Sequence, residues 1–332
     1  MSHVTPMILE ALSSLRYLRV RFELRSLSEC RLPGFLGSTL RGALAMSFRR
    51  MVCTFDMRPC DGCPVQRTCP YPALFETPAA TGTQAVRRMR DIPHPILIVP
   101  PLRHAKRYRP GDTLAFEIVL LGQAAQRLPY LIFAVNEMAG QGLGVKRGPF
   151  HLAGVTDGDG QPLYDVELGQ LLRDPTPRNL GEILHGEAPE SVRVILETPL
   201  RVKAEGSLLA REIDAADFLR PACRRLWSLI RFHGHDPQGE WDFHSLWEKE
   251  KLPELLDRNL RWWDLSRYSN RQKNSLKIGG LTGHFTLRGN LQPWWGILRA
   301  VELVHLGKGT IMGLGRIRLR PMTDGESWAP SI

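Results

Sequence analysis

Four cysteines fall within 17 residues: Cys53, Cys60, Cys63 and Cys69, in CTFDMRPCDGCPVQRTC, with the spacing C-x6-C-x2-C-x5-C. In a reducing compartment, thiols this clustered are metal ligands more often than disulfides. Asp61-Gly62 between the inner pair allows the tight turn that lets Cys60 and Cys63 grip one ion. Four thiolates complete a tetrahedral zinc site or hold an iron–sulfur cluster. Ligand type and spacing favour zinc over the cluster. With all four bound no coordination position stays open, so the expected role is structural. Cys30 and Cys223 read as small apolar residues.

A second group lies near the C-terminus, in HLGKGTIMGLGR, residues 305–316. Gly307, Gly309, Gly313 and Gly315 permit positive φ and close backbone approach, and Lys308 and Arg316 add charge. Exposed amides beside cations suit a phosphodiester backbone. The spacing is not that of a P-loop. Nor is it a dinucleotide fingerprint, because these glycines follow a helix and precede a strand. The alternative is a tight helix-to-strand connection that simply needs glycine. The segment WWDLSRYSNRQKNSLKIGG, residues 262–280, mixes aromatics with cations and amides. Arg267 and Arg271 can meet phosphates, and Tyr268 or Trp262 can stack on splayed bases. A solvated basic loop with its aromatics in the core is the competing reading.

The elements that position these groups are legible from periodicity. Leu18, Val20, Phe22 and Leu24 alternate with Arg19, Arg21, Glu23 and Arg25, a half-buried strand with a mostly basic outer face. Leu36, Leu40, Leu44 and Phe48 follow at helical spacing, with Arg41 on or near that helix, and the cysteine segment is then an insertion. PILIVPP and TLAFEIVLL read as strands, Leu128 to Ala139 as a helix and FHLAGV as a strand. The order is βαββαβ, the ferredoxin-like arrangement. Residues 156–190, rich in Gly, Pro and Asp, read as a linker. The second half opens with VRVILETPL and a helix through Phe218, Ala222, Leu226 and Leu229, and a mainly helical stretch is expected to about Leu265. LTGHFTLRG is a strand, Pro293 opens a helix, and IMGLGRIRLR is the last strand. Gly142-Leu143-Gly144 and Gly313-Leu314-Gly315 recur at an offset of 171 residues, which points to two similar domains in tandem. The expected division is 1–155, a linker at 156–190, and 191–332.

The composition bounds the function. The 332 residues carry 44 Lys and Arg against 34 Asp and Glu, a net charge of +10 that favours a polyanionic partner. No apolar run reaches the ~18 residues of a membrane span, and the N-terminus lacks the regions of a signal peptide. The expectation is a cytoplasmic protein with no membrane partner.

SRYSNRQKNSLKIGGLTGHFTL followed by LVHLGKGTIMGLGRIRL resembles the C-terminal signature of the CRISPR-associated precursor-RNA processing endoribonucleases, of the repeat-associated mysterious protein (RAMP) superfamily. LPGFLGSTLRGAL, the cysteine segment ending CPYPALFE, the IPHP stretch and LPYLIFAVNEMAGQGLG are similar as well, so the resemblance covers most of the chain. It implies an α+β protein of two tandem ferredoxin-like domains, with the four-cysteine insertion in the first. It also implies metal-independent cleavage of repeats in a CRISPR precursor RNA to mature guide RNAs. In that chemistry the 2′-hydroxyl attacks the neighbouring phosphate, leaving a cyclic phosphate and a 5′-hydroxyl. Many members place a catalytic His on or near the first helix. Here residues 34–50 contain none, and none lies between His3 and His94. Acid–base work then falls elsewhere, with His305 and His284 as candidates, since an ordinary imidazole suits proton transfer at neutral pH. Arg41 is a candidate for charge stabilisation at the cut, with Lys308 and Arg271 for phosphate contact. Two other functions compete: a non-catalytic RNA-binding subunit associated with other CRISPR effector subunits, and an iron–sulfur regulatory RNA-binding protein.

Overall fold

The computed structural model describes residues 4–77, 92–144, 146–184, 186–204, 207–209, 213–235, 246–247, 251–269 and 274–322. Strand β1 (Arg16–Ser26) buries Leu18, Val20, Phe22 and Leu24 and turns Arg19, Arg21 and Arg25 outward. It is the centre of the first sheet. Strand β2 (Ile96–Val99) lies outside β3 (Thr113–Leu121), which pairs with one edge of β1; β4 (Phe150–Asp157) pairs with the other, all antiparallel. Helices α2 (Gly37–Val52) and α4 (Leu128–Gln141) cover one face, with the short α3 (Pro70–Phe75) against α2. Their core joins Leu40, Leu44, Phe48, Leu131 and Val135 to Phe22 and Phe116.

Residues 156–190 differ from the expected linker. Strands β5 (Pro162–Asp165) and β6 (Gln170–Leu171) extend the first sheet beyond β4, giving the order β2-β3-β1-β4-β5-β6. Arg178 and Asn179 then pair with the start of β1. Gly and Asp here serve turns inside a sheet: the Asp157 side chain accepts from the backbone of Asp159 and Gln161, and Asp165 does the same for Glu167 and Leu168.

The second sheet is built from β7 (Ser191–Leu200), β8 (Glu254–Trp263), β11 (Gly280–Arg288) and β12 (Ile317–Met322), and a hairpin of β9 (Ser266–Ser269) and β10 (Asn274–Lys277) projects between β8 and β11. The sheet order is β8-β11-β7-β12, every pair antiparallel. Reading each half as strand, helix, strand, strand, helix, strand, this is the order of β2-β3-β1-β4 repeated. Residues 254–263, expected to be helical, are strand β8. A bulge between Leu256 and Asn259, with Asp257 at φ +47°, interrupts the alternation that would have marked it.

Helix α5 (Ala215–His233) starts on a reciprocal cap between Asp214 and Asp217. It packs Phe218 edge-on to Phe285 at 5.1 Å. Helix α6 (Gln292–Val304) has Pro in its first turn and buries Trp294, Ile297, Leu298 and Val301. Helix α1 (Val4–Ser13) packs on α6, and its Ala11 and Leu12 enter the second core. Leu97, Val99 and Val119 of the first sheet enter that core too, while Ile96, Ile98 and Ile118 enter the first. Burial on both faces explains why residues 96–99 are continuously apolar. Among the described residues, no helix is long and apolar enough to cross a membrane.

Candidate nucleic-acid interface

Three segments meet along one seam. The start of α2 abuts the glycine-rich loop so closely that a β-carbon on Gly37 would lie 1.8 Å from the Met312 carbonyl oxygen. A small apolar cluster joins Phe35 before α2, Met312 and Leu314 of the loop, and Leu265 and Ile278 at the base of the β9–β10 hairpin. The hairpin base is closed by the Ile278 N–H donating to Leu265. Each part of the seam thus comes from a different region of the sequence.

The loop's four glycines all have positive φ, between +68° and +86°. Their neighbours explain why no other residue serves. A β-carbon on Gly315 would lie 1.7 Å from the Leu306 carbonyl oxygen, and one on Gly313 would lie 2.4 Å from Pro100 Cδ. Gly313 and Gly315 are buried and pack on protein, which corrects the expectation that they contact RNA. Gly307 and Gly309 are half-buried and flank the exposed Lys308, so the loop's accessible tip is these three residues. The tip is anchored: the Lys308 N–H donates to the Arg201 carbonyl at 2.9 Å, and Arg201 reaches the Lys277 carbonyl of the hairpin at 3.2 Å.

Helix α2 starts after Leu36 with no side-chain cap, so its first-turn amides and the positive end of its dipole lie where the helix abuts the loop at Met312. Arg41, one turn further, donates to the Phe75 carbonyl at 3.2 Å, which holds it on the same helix end. His104 was not singled out from sequence. Its Nδ1 donates to the Ala105 carbonyl at 2.8 Å and its Nε2 lies 3.4 Å from the Gly34 carbonyl, three residues before Gly37. The ring is half-buried at the edge of the seam. The signal was its setting in PPLRHAKRYR, a cationic stretch after two prolines, of which Pro100 packs against Gly313 of the loop.

Several expected residues sit differently. His305 has 2% of its surface exposed, with φ +56°, and its Nδ1 has no hydrogen-bond partner. Burial first, and then Arg316 and Arg225, push its pKa down to about 3. A neutral, enclosed imidazole does not suit proton transfer to a strand arriving from solvent. Arg316 is held by Glu197 at 2.8 Å, and Arg318 shares the same carboxylate at 2.6 Å, so Arg316 serves an internal ion pair rather than an open phosphate seat. His284 lies on the open face of the second sheet, in a groove with Arg193, Arg261, Trp262, Trp263 and Thr282. Burial and then Arg193 lower its pKa. It does not line the glycine loop; its groove has exposed tryptophans that suit base stacking. Arg267 and Tyr268 occupy strand β9, opposite Leu276 and Ser275 of β10. Arg271 lies outside the described residues.

A cleft of about 560 Å³ runs between the two sheets. Its arginines are already paired: Arg19 with Glu117, Arg173 with Asp157, Arg178 with Asp159, Arg299 with Glu302, and Arg316 and Arg318 with Glu197. Paired charges present little net field to an anion. The four clustered cysteines line a separate small cavity beside α2. All are free thiols, and among the described residues no three His, Cys, Asp or Glu side chains converge closely enough to hold an ion.

A family described as the CRISPR-associated endoribonuclease Cas6 matches residues 194–317, and a second, described as an N-terminal domain, matches residues 15–176. A partial Cas6-RT-Cas1–Cas2 complex is similar in structure at 14% identity and TM-score 0.56, over 95% of this chain and 48% of that one, so this chain spans about half its length. A Cas6 product complex is similar at 16% identity and TM-score 0.55, over 91% and 98% of the two chains. Thermus thermophilus Cas6 is similar at 16% identity and TM-score 0.51, over 92% and 99%. At these identities the structural likeness is one of fold. No curated protein matches the chain. Residues 194–317 thus match the CRISPR-associated endoribonuclease Cas6 family, and the chain has a Cas6-like fold along its length.

Proposed function

We propose that this chain is an endoribonuclease that cuts the repeats of a CRISPR precursor RNA in the cytoplasm to release guide RNAs. In this reading it consists of two tandem ferredoxin-like modules; the shared order of the four core strands in each sheet supports that. The observation that carries the functional reading is the seam. An uncapped helix start and the glycine-rich loop that carries Lys308 are locked together at Gly37 and Met312, beside a basic hairpin.

The cut needs the 2′-hydroxyl in line with the leaving 5′-oxygen, a group to move protons, and positive charge for the phosphorane-like transition state. Lys308 binds the phosphate next to the cut. Arg41 and the α2 amides stabilise charge on the equatorial oxygens. His104, fixed by the Ala105 carbonyl, moves a proton in place of the histidine that α2 lacks. The tryptophans on the open face of the second sheet stack bases of the same strand further along. The attack breaks the P–O5′ bond as the 2′-oxygen forms its bond to phosphorus, so the products are a 2′,3′-cyclic phosphate and a 5′-hydroxyl.

The test is incubation of a repeat-containing RNA with the protein in excess chelator. The reading expects one cut per repeat, and none when the nucleotide 5′ of the cut is 2′-deoxy. The absence of any His on α2 favours a second reading, a non-catalytic RNA-holding subunit of a CRISPR assembly. Tight binding with no cut under any condition would decide for it.

A further inference from the structure

Residues 53–69 contain no helix or strand and no fully buried side chain, yet they fold as a defined series of turns beside α2. Ordering 17 residues costs on the order of 1 kcal/mol each in backbone entropy, which apolar burial here does not offset. The turns are closed one after another: Arg58 N–H to Phe55, Cys63 N–H to Cys60, Gln66 N–H to Cys63 and Cys69 N–H to Val65. Asp56 and Met57 are both held at positive φ, and Arg49 of α2 donates to the carbonyls of Met57 and Arg58. The cysteines recur along this series: the Cys53 N–H donates to the Arg49 carbonyl where the segment leaves α2, Cys60 and Cys63 bracket one turn, Cys63 opens the next, and Cys69 closes the last.

We propose that Cys53, Cys60, Cys63 and Cys69 bind one structural zinc ion, which staples this segment to α2. All four line a single small cavity, and none is oxidised. Cys60 and Cys63 share the Asp61-Gly62 turn, in which Gly62 has φ +73°. Cys53 and Cys69 come from the two ends of the segment, so one ion would close it into a loop. The sulfurs as placed do not yet converge, so binding would draw them together within the small cavity they share. Binding displaces the thiol protons, and four anionic sulfurs with no open position suit a structural rather than a catalytic ion. The segment lies next to Arg49 and Tyr71 at the C-terminal end of α2, while the seam lies at its N-terminal start. The zinc would therefore fix the helix that carries Arg41 without touching RNA.

The test is the metal content of the full chain, purified without added metal and measured by plasma mass spectrometry. One zinc ion per chain is expected, released stoichiometrically when a mercurial titrates the thiols. A Cys60→Ser/Cys63→Ser variant should lose it, and Cys223→Ala, buried in α5, should keep it. If the double variant does not fold, release from the unaltered chain decides alone. Folded protein that neither contains nor takes up zinc overturns the proposal. So does a chain holding iron and sulfide, or one whose four thiols pair as disulfides by mass spectrometry. None of these outcomes depends on whether the protein cuts RNA.

Discussion

A β-carbon on Gly37 would lie 1.8 Å from the carbonyl oxygen of Met312. Helix α2 and the glycine-rich loop, 275 positions apart in the chain (312 − 37), therefore touch with no room for a single methyl group. Gly42, on the same helix, has nothing within 4 Å of the corresponding position and is exposed.

These two glycines should respond oppositely to the same substitution. Gly37→Ala forces α2 off the loop and should cost ~1–3 kcal/mol, with a larger loss of RNA cleavage than of fold. Gly42→Ala relieves a helix interior of glycine and should stabilise by ~0.5–1 kcal/mol. Denaturant unfolding of both variants checks this. Equal effects of the two would contradict the contact.

Lys308 stands exposed at the tip, with its backbone anchored by Arg201. Lys308→Ala should weaken RNA binding and reduce the slope of log affinity against log salt by about one unit, leaving the fold unchanged. Filter binding across a salt series reads this. An unchanged slope would remove Lys308 from the phosphate contacts.

If His104 moves a proton, His104→Ala should slow single-turnover cleavage on the order of 100-fold while RNA affinity stays within error. His284→Ala, on the open sheet face, should weaken binding more than it slows the cut. A His104 variant that cuts at the normal rate would return proton transfer to another group.

His305 and His233 are buried, and burial pushes their folded pKa values to about 3 and about 4, below the ordinary 6.5. The unfolded chain takes up these protons as pH falls through about 6.5, while the folded chain refuses them. Stability is therefore full above about pH 6.5 and declines below it, by about 1.4 kcal/mol per pH unit for each histidine. His305→Asn keeps a residue that tolerates the left-handed backbone and removes one titration. Urea unfolding at pH 7.5 and 5.5 should show a smaller drop for this variant; an equal drop would contradict the burial argument.

Much of the scaffold was legible because each element shows one face to water. Leu36, Leu40, Leu44 and Phe48 mark α2, and the alternation along β1 marks the strand that centres the first sheet. Strand β8 was hidden because its bulge at Asp257 breaks the period, and the approach of Gly283 to Asn259 that accommodates this bulge is a contact between distant residues. The positive φ of the four loop glycines followed from residue type, but their reason did not: Gly313 and Gly315 answer to Pro100 and Leu306, not to a ligand. Arg316 looked available because Glu197, 119 positions earlier (316 − 197), has no mark in sequence that it will lie 2.8 Å away. His305 misled in the same way, since the last turn of a helix is often exposed and this one ends against Leu314.

The central claim is that an RNA strand lies along the seam between α2 and the glycine-rich loop. A structure of the protein with a repeat RNA, made uncleavable by one 2′-deoxy nucleotide, tests it most directly. The account predicts the scissile phosphate against Lys308 and the start of α2, with His104 in reach of the 2′-carbon or the leaving oxygen. A strand threaded instead through the ion-paired cleft between the sheets, with Lys308 left in solvent, would contradict it.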